Sequence, residues 1–189
     1  MIRALWRSDG TPIATIELLN NAPSPAPFLG PYLANVNGWL FFRADDGVHG
    51  VELWKSDGTV AGTTQVADIR AGAGSSNPKM LTNVGGTLFF RATDGTHGYE
   101  LWKSDGTAAG TVLVKDVFPG STSSQMWSFA SLGTTLVFAS DGGMWRSDGT
   151  TAGTVPIVSF TAATDPLSIR SPIAVNGVLY LPATDSTSG

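Results

Sequence analysis

A seven-residue phrase, Leu-Trp-Lys/Arg-Ser-Asp-Gly-Thr, recurs around Trp6, Trp54 and Trp102 and returns around Trp145 with Met144 in place of leucine. The four tryptophans lie 48, 48 and 43 residues apart. That spacing is far longer than a heptad and matches a whole supersecondary unit, so the chain is read as a repeat protein. Each unit must bury its apolar surface against its neighbours.

The unit 79–125 is the cleanest and reads as four short strands at 80–84, 87–93, 99–104 and 111–117. Gly85-Gly86 separates the first two, and Asn37-Gly38 and Asn176-Gly177 stand at the same place in other units. These pairs tolerate the positive φ of a type I′ hairpin turn. Asp94-Gly95-Thr96-His97-Gly98 separates the second strand from the third, and Asp105-Gly106-Thr107-Ala108-Ala109-Gly110 the third from the fourth. Each unit is therefore predicted to be a four-stranded antiparallel meander. Two stretches free of Gly and Pro, 13–22 and 121–132, suit short helices locally, but they align with strand positions in the other units.

Strand polarity predicts how the meanders meet. Leu88 and Phe90 lie on one face and Phe89 on the other, while Leu101 and Trp102 point to opposite sides. Inner strands of this kind are covered on both faces. The expected fold is all-β, a β-propeller of four-stranded antiparallel blades with about four blades present, and a stacked solenoid is the competing arrangement. The expected domain is 1–189, with a half unit at 1–28, whole units at 29–78, 79–125 and 126–168, and a half unit at 169–189. Two endings fit this phase: the half units join in one shared blade and close a four-bladed ring, or the chain is an excerpt of a larger propeller.

Composition narrows the function. The chain has 189 residues, 42% of them hydrophobic, with six Trp, three Tyr and nine Phe, enough for a core without staples. Cysteine is absent, which excludes disulfides, thiolate metal sites and a cysteine nucleophile. Net charge is −4 with 14% charged residues and no basic cluster, so a nucleic-acid partner lacks its electrostatic footprint. Apolar runs such as 39–42 fall well short of the roughly 20 residues of a spanning helix, so membrane insertion is not expected. Residues 1–10 hold no apolar signal region.

The run Glu100-Leu101-Trp102-Lys103-Ser104-Asp105-Gly106-Thr107, followed by Ala108-Ala109-Gly110-Thr111, resembles the bacterial ELWxxDGT repeat family, and 52–63 matches the same pattern. The first unit departs from it: Arg3-Ala4 precede Leu5, and Pro12-Ile13-Ala14-Thr15 replaces the second Gly-Thr. In the last, the loop after Asp141-Gly142 is shortened and the Glu is lost. The resemblance implies propeller-like repeats in a large secreted or surface-associated bacterial protein, hence an extracellular or cell-surface location, with no established chemistry.

Among candidate sites, Asp9, Asp57, Asp105 and Asp148 would emerge on one face, where converging carboxylates suit Ca²⁺. Asp followed by Gly and Thr is also what a turn demands, and this is the preferred reading, no other cofactor being expected. Trp6, Trp54, Trp102 and Trp145 sit inside apolar strands and are assigned to the repeat core, with sugar stacking as the alternative. Trp39 and Trp127 lie outside the phase of the others and are the candidate ligand-binding residues. His49 and His97 are read as turn residues. Arg43 with Glu52 and Arg91 with Glu100 are expected to form ion pairs across second and third strands. Ser8, Ser56, Ser104 and Ser147 have no histidine placed to activate them and no Gly-x-Ser-x-Gly elbow, so no catalytic residue is assigned. The expected function is a noncatalytic extracellular recognition or adhesion module binding glycan or protein, the alternative being a structural display or spacer array. Segments 20–31, 70–78 and 118–125, rich in Ser, Pro, Gly or Ala, suit either linkers or binding loops.

Overall fold

A computed structural model describes residues 5–19, 32–120, 123–140, 143–159 and 173–180, and every regular element among them is a β-strand. Strands β1 (Leu5–Arg7) and β2 (Ile16–Leu19) form a two-stranded sheet. The first four-stranded sheet holds β3 (Ala34–Val36), β4 (Trp39–Asp45), β5 (Val51–Ser56) and β6 (Thr64–Ala67). The second holds β7 (Lys79–Val84), β8 (Thr87–Ala92), β9 (Glu100–Ser104) and β10 (Val112–Lys115). The third holds β11 (Trp127–Leu132), β12 (Thr135–Ser140), β13 (Gly143–Ser147) and β14 (Val155–Ser159). A last two-stranded sheet pairs β15 (Ile173–Val175) with β16 (Val178–Tyr180). All pairings are antiparallel and follow chain order. The stretches that suited helices contain β2 and β11 instead. Segment 20–31, the turn Asp141-Gly142 and residues 181–189 lie outside the described residues.

The all-β class and the repeated four-stranded meander are thus as expected. Among the described residues β1–β2 and β15–β16 are separate sheets, with no shared blade and no closure seen.

Local chemistry explains the ladders. Asn37 (φ 52°) and Gly38 (φ 84°) turn β3 into β4, and Asn176 (φ 51°) and Gly177 (φ 76°) turn β15 into β16, as a type I′ turn requires. A bulge falls at the Leu-Trp step of the motif in every unit, between Leu5 and Trp6, Leu53 and Trp54, Leu101 and the strand opposite, and Met144 and Trp145. A bulge there raises the local twist of the third and fourth strands.

The sheets stack in chain order, so each has a rear face toward the preceding sheet and a forward face toward the following one. Leu5 and Leu18 meet Phe42 and Trp54 on the rear of the first four-stranded sheet. Phe41, Leu53 and Val66 on its forward face meet Leu88, Phe90 and Trp102. Phe89, Leu101 and Val114 then meet Leu136 and Phe138, with Trp145 packed alongside. Val137, Ala139 and Met144 finally meet Leu179 of β16. Phe42, Phe90 and Phe138 are fully buried because two sheets press on each.

Antiparallel order also sorts the loops. The β3–β4 and β5–β6 turns and their counterparts lie at one end of the stack, here the turn end. The β4–β5 loops and the linkers between sheets lie at the other, the linker end. At the turn end Asn37 Nδ2 donates to Gly86 O (3.0 Å) and Asn83 Nδ2 to Asn35 O (2.8 Å), tying first-strand turns of successive sheets together.

Candidate functional site

The aspartates of the motif are built into their own turns. Asp57 Oδ1 accepts the Thr59 N–H (2.8 Å) and hydroxyl (2.7 Å), Thr59 Oγ1 accepts the Gly62 N–H (2.9 Å), and Thr63 Oγ1 donates to Thr59 O (2.6 Å). The buried Ser56 hydroxyl lies 2.8 Å from Thr63 Oγ1 and accepts the Gly58 N–H. Asp105 and Asp148 sit in the same network. A Cβ at Gly62, Gly110 or Gly153 would collide with the aspartate carboxylate, which explains the second glycine of the phrase. In the first unit Ala14 stands there, and its N–H bond to Thr11 Oγ1 stretches to 3.3 Å. Thr15 nevertheless keeps its bond to Ser8 (2.7 Å), so the first turn loses only the glycine of its second Gly-Thr.

Hydrogen bonds from the threonine side chain and amide hold Asp57, Asp105 and Asp148 below the usual carboxylate range, with smaller help from Arg7, Lys55 and Lys103 of the preceding unit. At Asp9 the Thr11 amide leads the same effect. One oxygen of each carboxylate is thereby committed to the turn. Among the described residues no three His, Asp or Glu side chains gather as a metal site requires, so the four aspartates do not assemble a Ca²⁺ cage.

The basic residue of the motif has a role that sequence reading missed. Lys55 Nζ donates to Gly106 O (2.8 Å) and Lys103 Nζ to Gly149 O (2.8 Å), each reaching the Asp-Gly turn of the following sheet. Gly106 (φ 90°) and Gly149 (φ 86°) also lie beneath Phe41 and Phe89, whose Cζ atoms would be 3.1 Å from an added Cβ. Lys55 further covers one face of Trp39, its ammonium 4.6 Å from the ring centroid. The available signal was that position 7, 55, 103 or 146 is always Lys or Arg.

The motif glutamate binds the linker end. Buried Glu52 accepts from Ser76 N (2.9 Å), Ser76 Oγ (2.6 Å), Ile69 N (3.1 Å) and Arg70 N (3.4 Å). Glu100 accepts from Val117 N (2.9 Å), Ser124 N (3.0 Å) and Ser124 Oγ. Burial pushes both carboxyl groups up, while these donors pull the other way. The expected arginine pairs are a correction. Arg43 is opposite Leu53 and Ala44 opposite Glu52, so the arginine and glutamate side chains leave the sheet on opposite faces. Arg43 lies over Tyr32 (4.6 Å) and Arg91 over Tyr99 (4.8 Å) instead.

His49 and His97 occupy the β4–β5 and β8–β9 loops at the linker end, with Nδ1 2.6 Å from Asp46 Oδ2 and Asp94 Oδ2 respectively. That contact raises both histidines. Against a burial penalty, bonds from the loop amides and the histidine hold Asp46 and Asp94 low. Stability from the raised histidine is present below its unfolded value and fades as pH rises through the folded one, and stability from the depressed aspartate fades only in acid. Each pair therefore contributes fully between about pH 4 and pH 6.5. In an NMR titration His97 should titrate above free histidine, and Asp94→Asn should move it down toward the free value; an unmoved midpoint would contradict the pairing.

The tryptophans divide. Trp54 and Trp102 are buried on rear faces, and Trp145 is half-buried and stacked on Phe138 at 6.3 Å. Trp6 departs from the core assignment with 56% of its surface exposed, since no described sheet lies behind β1–β2. Trp39 is half-buried at the turn end. Trp127 is half-buried at the linker end, against Val137, Ala139 and Met144. The two candidate ligand-binding tryptophans thus do not share an end of the stack. No family model, curated protein or solved structure matches the chain.

Proposed function

We propose that the chain is a noncatalytic recognition or adhesion module of propeller-like build, acting outside the cell or at its surface and contacting a glycan or surface protein through its turn end. The observation that carries this reading is the division of labour there. The repeated Ser, Asp, Thr and Lys groups are spent on turns and sheet-to-sheet contacts, while the tips between them present Ile13 (94% exposed) and Val60 (62% exposed) on the same end as Trp39. A constant scaffold with exposed tips is how loop-borne recognition is commonly built.

The propeller-like arrangement is supported by contacts between sheets, which run chiefly through the first strands β3, β7, β11 and β15, as blades converging on an axis require. The resemblance of the motif to the ELWxxDGT repeats supports the surface location. A display or spacer array is the second reading, favoured by the use of the repeated polar residues for turns, linkers and sheet-to-sheet contacts. Glycan-array and surface-protein binding of the intact chain separates the two. Recognition predicts a selective response that Trp39→Ala weakens about tenfold, whereas a flat response across all probes leaves only the display array.

A further inference from the structure

We propose that the linker end of the seam between the first two four-stranded sheets is an anion site, in which Arg43, Lys79 and Arg91 hold a doubly charged tetrahedral oxyanion, the group that sulfate and phosphate share. The recognition reading uses the opposite end of the stack, so the two stand or fall separately. No basic run marks this site in the sequence; the fold assembles it.

The linker before β7 is stitched to both sheets. Asn77 N donates to Val51 O (3.1 Å), and Val51 pairs with Asp45, two residues beyond Arg43 on β4. Ser76 O accepts the Thr93 N–H (3.1 Å), two residues beyond Arg91. Held from both sides and led in by the buried Pro78, the chain enters β7 with Lys79 directly opposite Arg91. Like charges opposed across a ladder destabilise it. Arg43 leaves the forward face of its sheet with Phe41, toward the second sheet, and completes the cluster. Burial, then Arg91 and Arg43, hold the Lys79 ammonium below the usual lysine range, so Lys79 lies in the field of both guanidinium groups.

Lys79 makes no hydrogen bond or ion pair with any described residue. The carboxylates of this end have other partners. Asp45 and Asp68 accept from Gly47 and Gly72, Glu52 and Glu100 from the linkers, and Asp46 and Asp94 from their histidines. Residues 20–31, which lead into β3, contain no Asp or Glu. Tyr32 lies 4.6 Å from the Arg43 guanidinium carbon and Tyr99 4.8 Å from that of Arg91, each beneath a guanidinium face. A guanidinium covered on its face presents its N–H edge, the geometry that recognises an oxyanion. All three cations are half-buried, where their attraction for an anion exceeds that in bulk water. Three positive charges match a dianion better than a single carboxylate.

Amide shifts of the ¹⁵N-labelled intact chain, titrated with sodium sulfate and then with sodium phosphate at constant ionic strength, test this. The shifts should saturate and cluster around Arg43, Lys79 and Arg91, while chloride produces none. Lys79→Met should weaken sulfate binding at least about tenfold, and Lys79→Arg should keep it. Arg146→Met removes the same charge from an exposed site at the turn end and should leave binding unchanged. Dispersed spectra check that each variant folds. A sulfated oligosaccharide that binds more tightly than inorganic sulfate places the group on a glycan, and equal affinity makes the free ion the ligand; binding of neither overturns the proposal. So do shifts that never saturate, shifts centred elsewhere, or a folded Lys79→Met variant that binds as the wild type does.

Discussion

Replacing Glu100 with alanine should lower the unfolding midpoint by roughly 10 °C. The substitution strands the part-buried Val117 N–H and the buried Ser124 hydroxyl, which have the carboxylate as their acceptor, and takes one of two acceptors from the Ser124 N–H, which keeps Tyr99 O at 3.0 Å. Unmet donors of this kind cost about 3–5 kcal/mol together. Glu100→Gln should recover only part of the loss, because every contact is a donor and the amide puts an NH₂ where an oxygen is required. The linker 116–125 joins the second four-stranded sheet to the third, so amide exchange should speed up first from Val117 through β11. Thermal unfolding with hydrogen exchange checks both statements, and an Ala variant that melts with the wild type would refute the role given to the carboxylate.

Phe90→Ala should weaken the fold by a similar amount, about 3–5 kcal/mol, seen as a lower denaturant midpoint with an unchanged slope. Phe90 is fully buried, packed in the cluster that holds Phe41, Leu53 and Val66 of the preceding sheet and Trp102 of its own. Truncation leaves a cavity between two sheets that twist and bulge independently and do not close over it. Trp6→Ala is the control: a larger side chain is removed from a site 56% exposed, and the loss should stay well under that of Phe90→Ala. Equal losses would mean that the stack does not bury its phenylalanines as described.

What could be read from the sequence was whatever depends on neighbours along the chain. Asn37-Gly38 dictates a tight turn by its own φ preferences, and Leu101 and Trp102 take opposite faces because successive residues of a strand must. The Asp-Gly-Thr turn is equally local, its bonds spanning two to seven residues. The errors arose where sheet faces decide the partner. Arg43 and Glu52 are near in the ladder, but their opposite parity separates them. Trp6 repeats a core residue in sequence, yet burial of that residue comes from the sheet behind it. The reach of Lys55 to Gly106 spans 51 residues and exists only once the stacking direction is known. Ser76 and Ser124, which receive the glutamates, were visible only as parts of Ser-rich linkers.

Lys55 and Lys103 meet their turn glycines through the same atoms at the same 2.8 Å, beneath phenylalanines placed alike. The junction is therefore generic: its two halves are specified by the phrase itself rather than by which unit carries it. A gene encoding such a chain can gain or shed a whole module without inventing a new junction, since Lys55 would find in Gly149 what it finds in Gly106. Selection can then adjust the number of modules separately from the residues displayed on their tips.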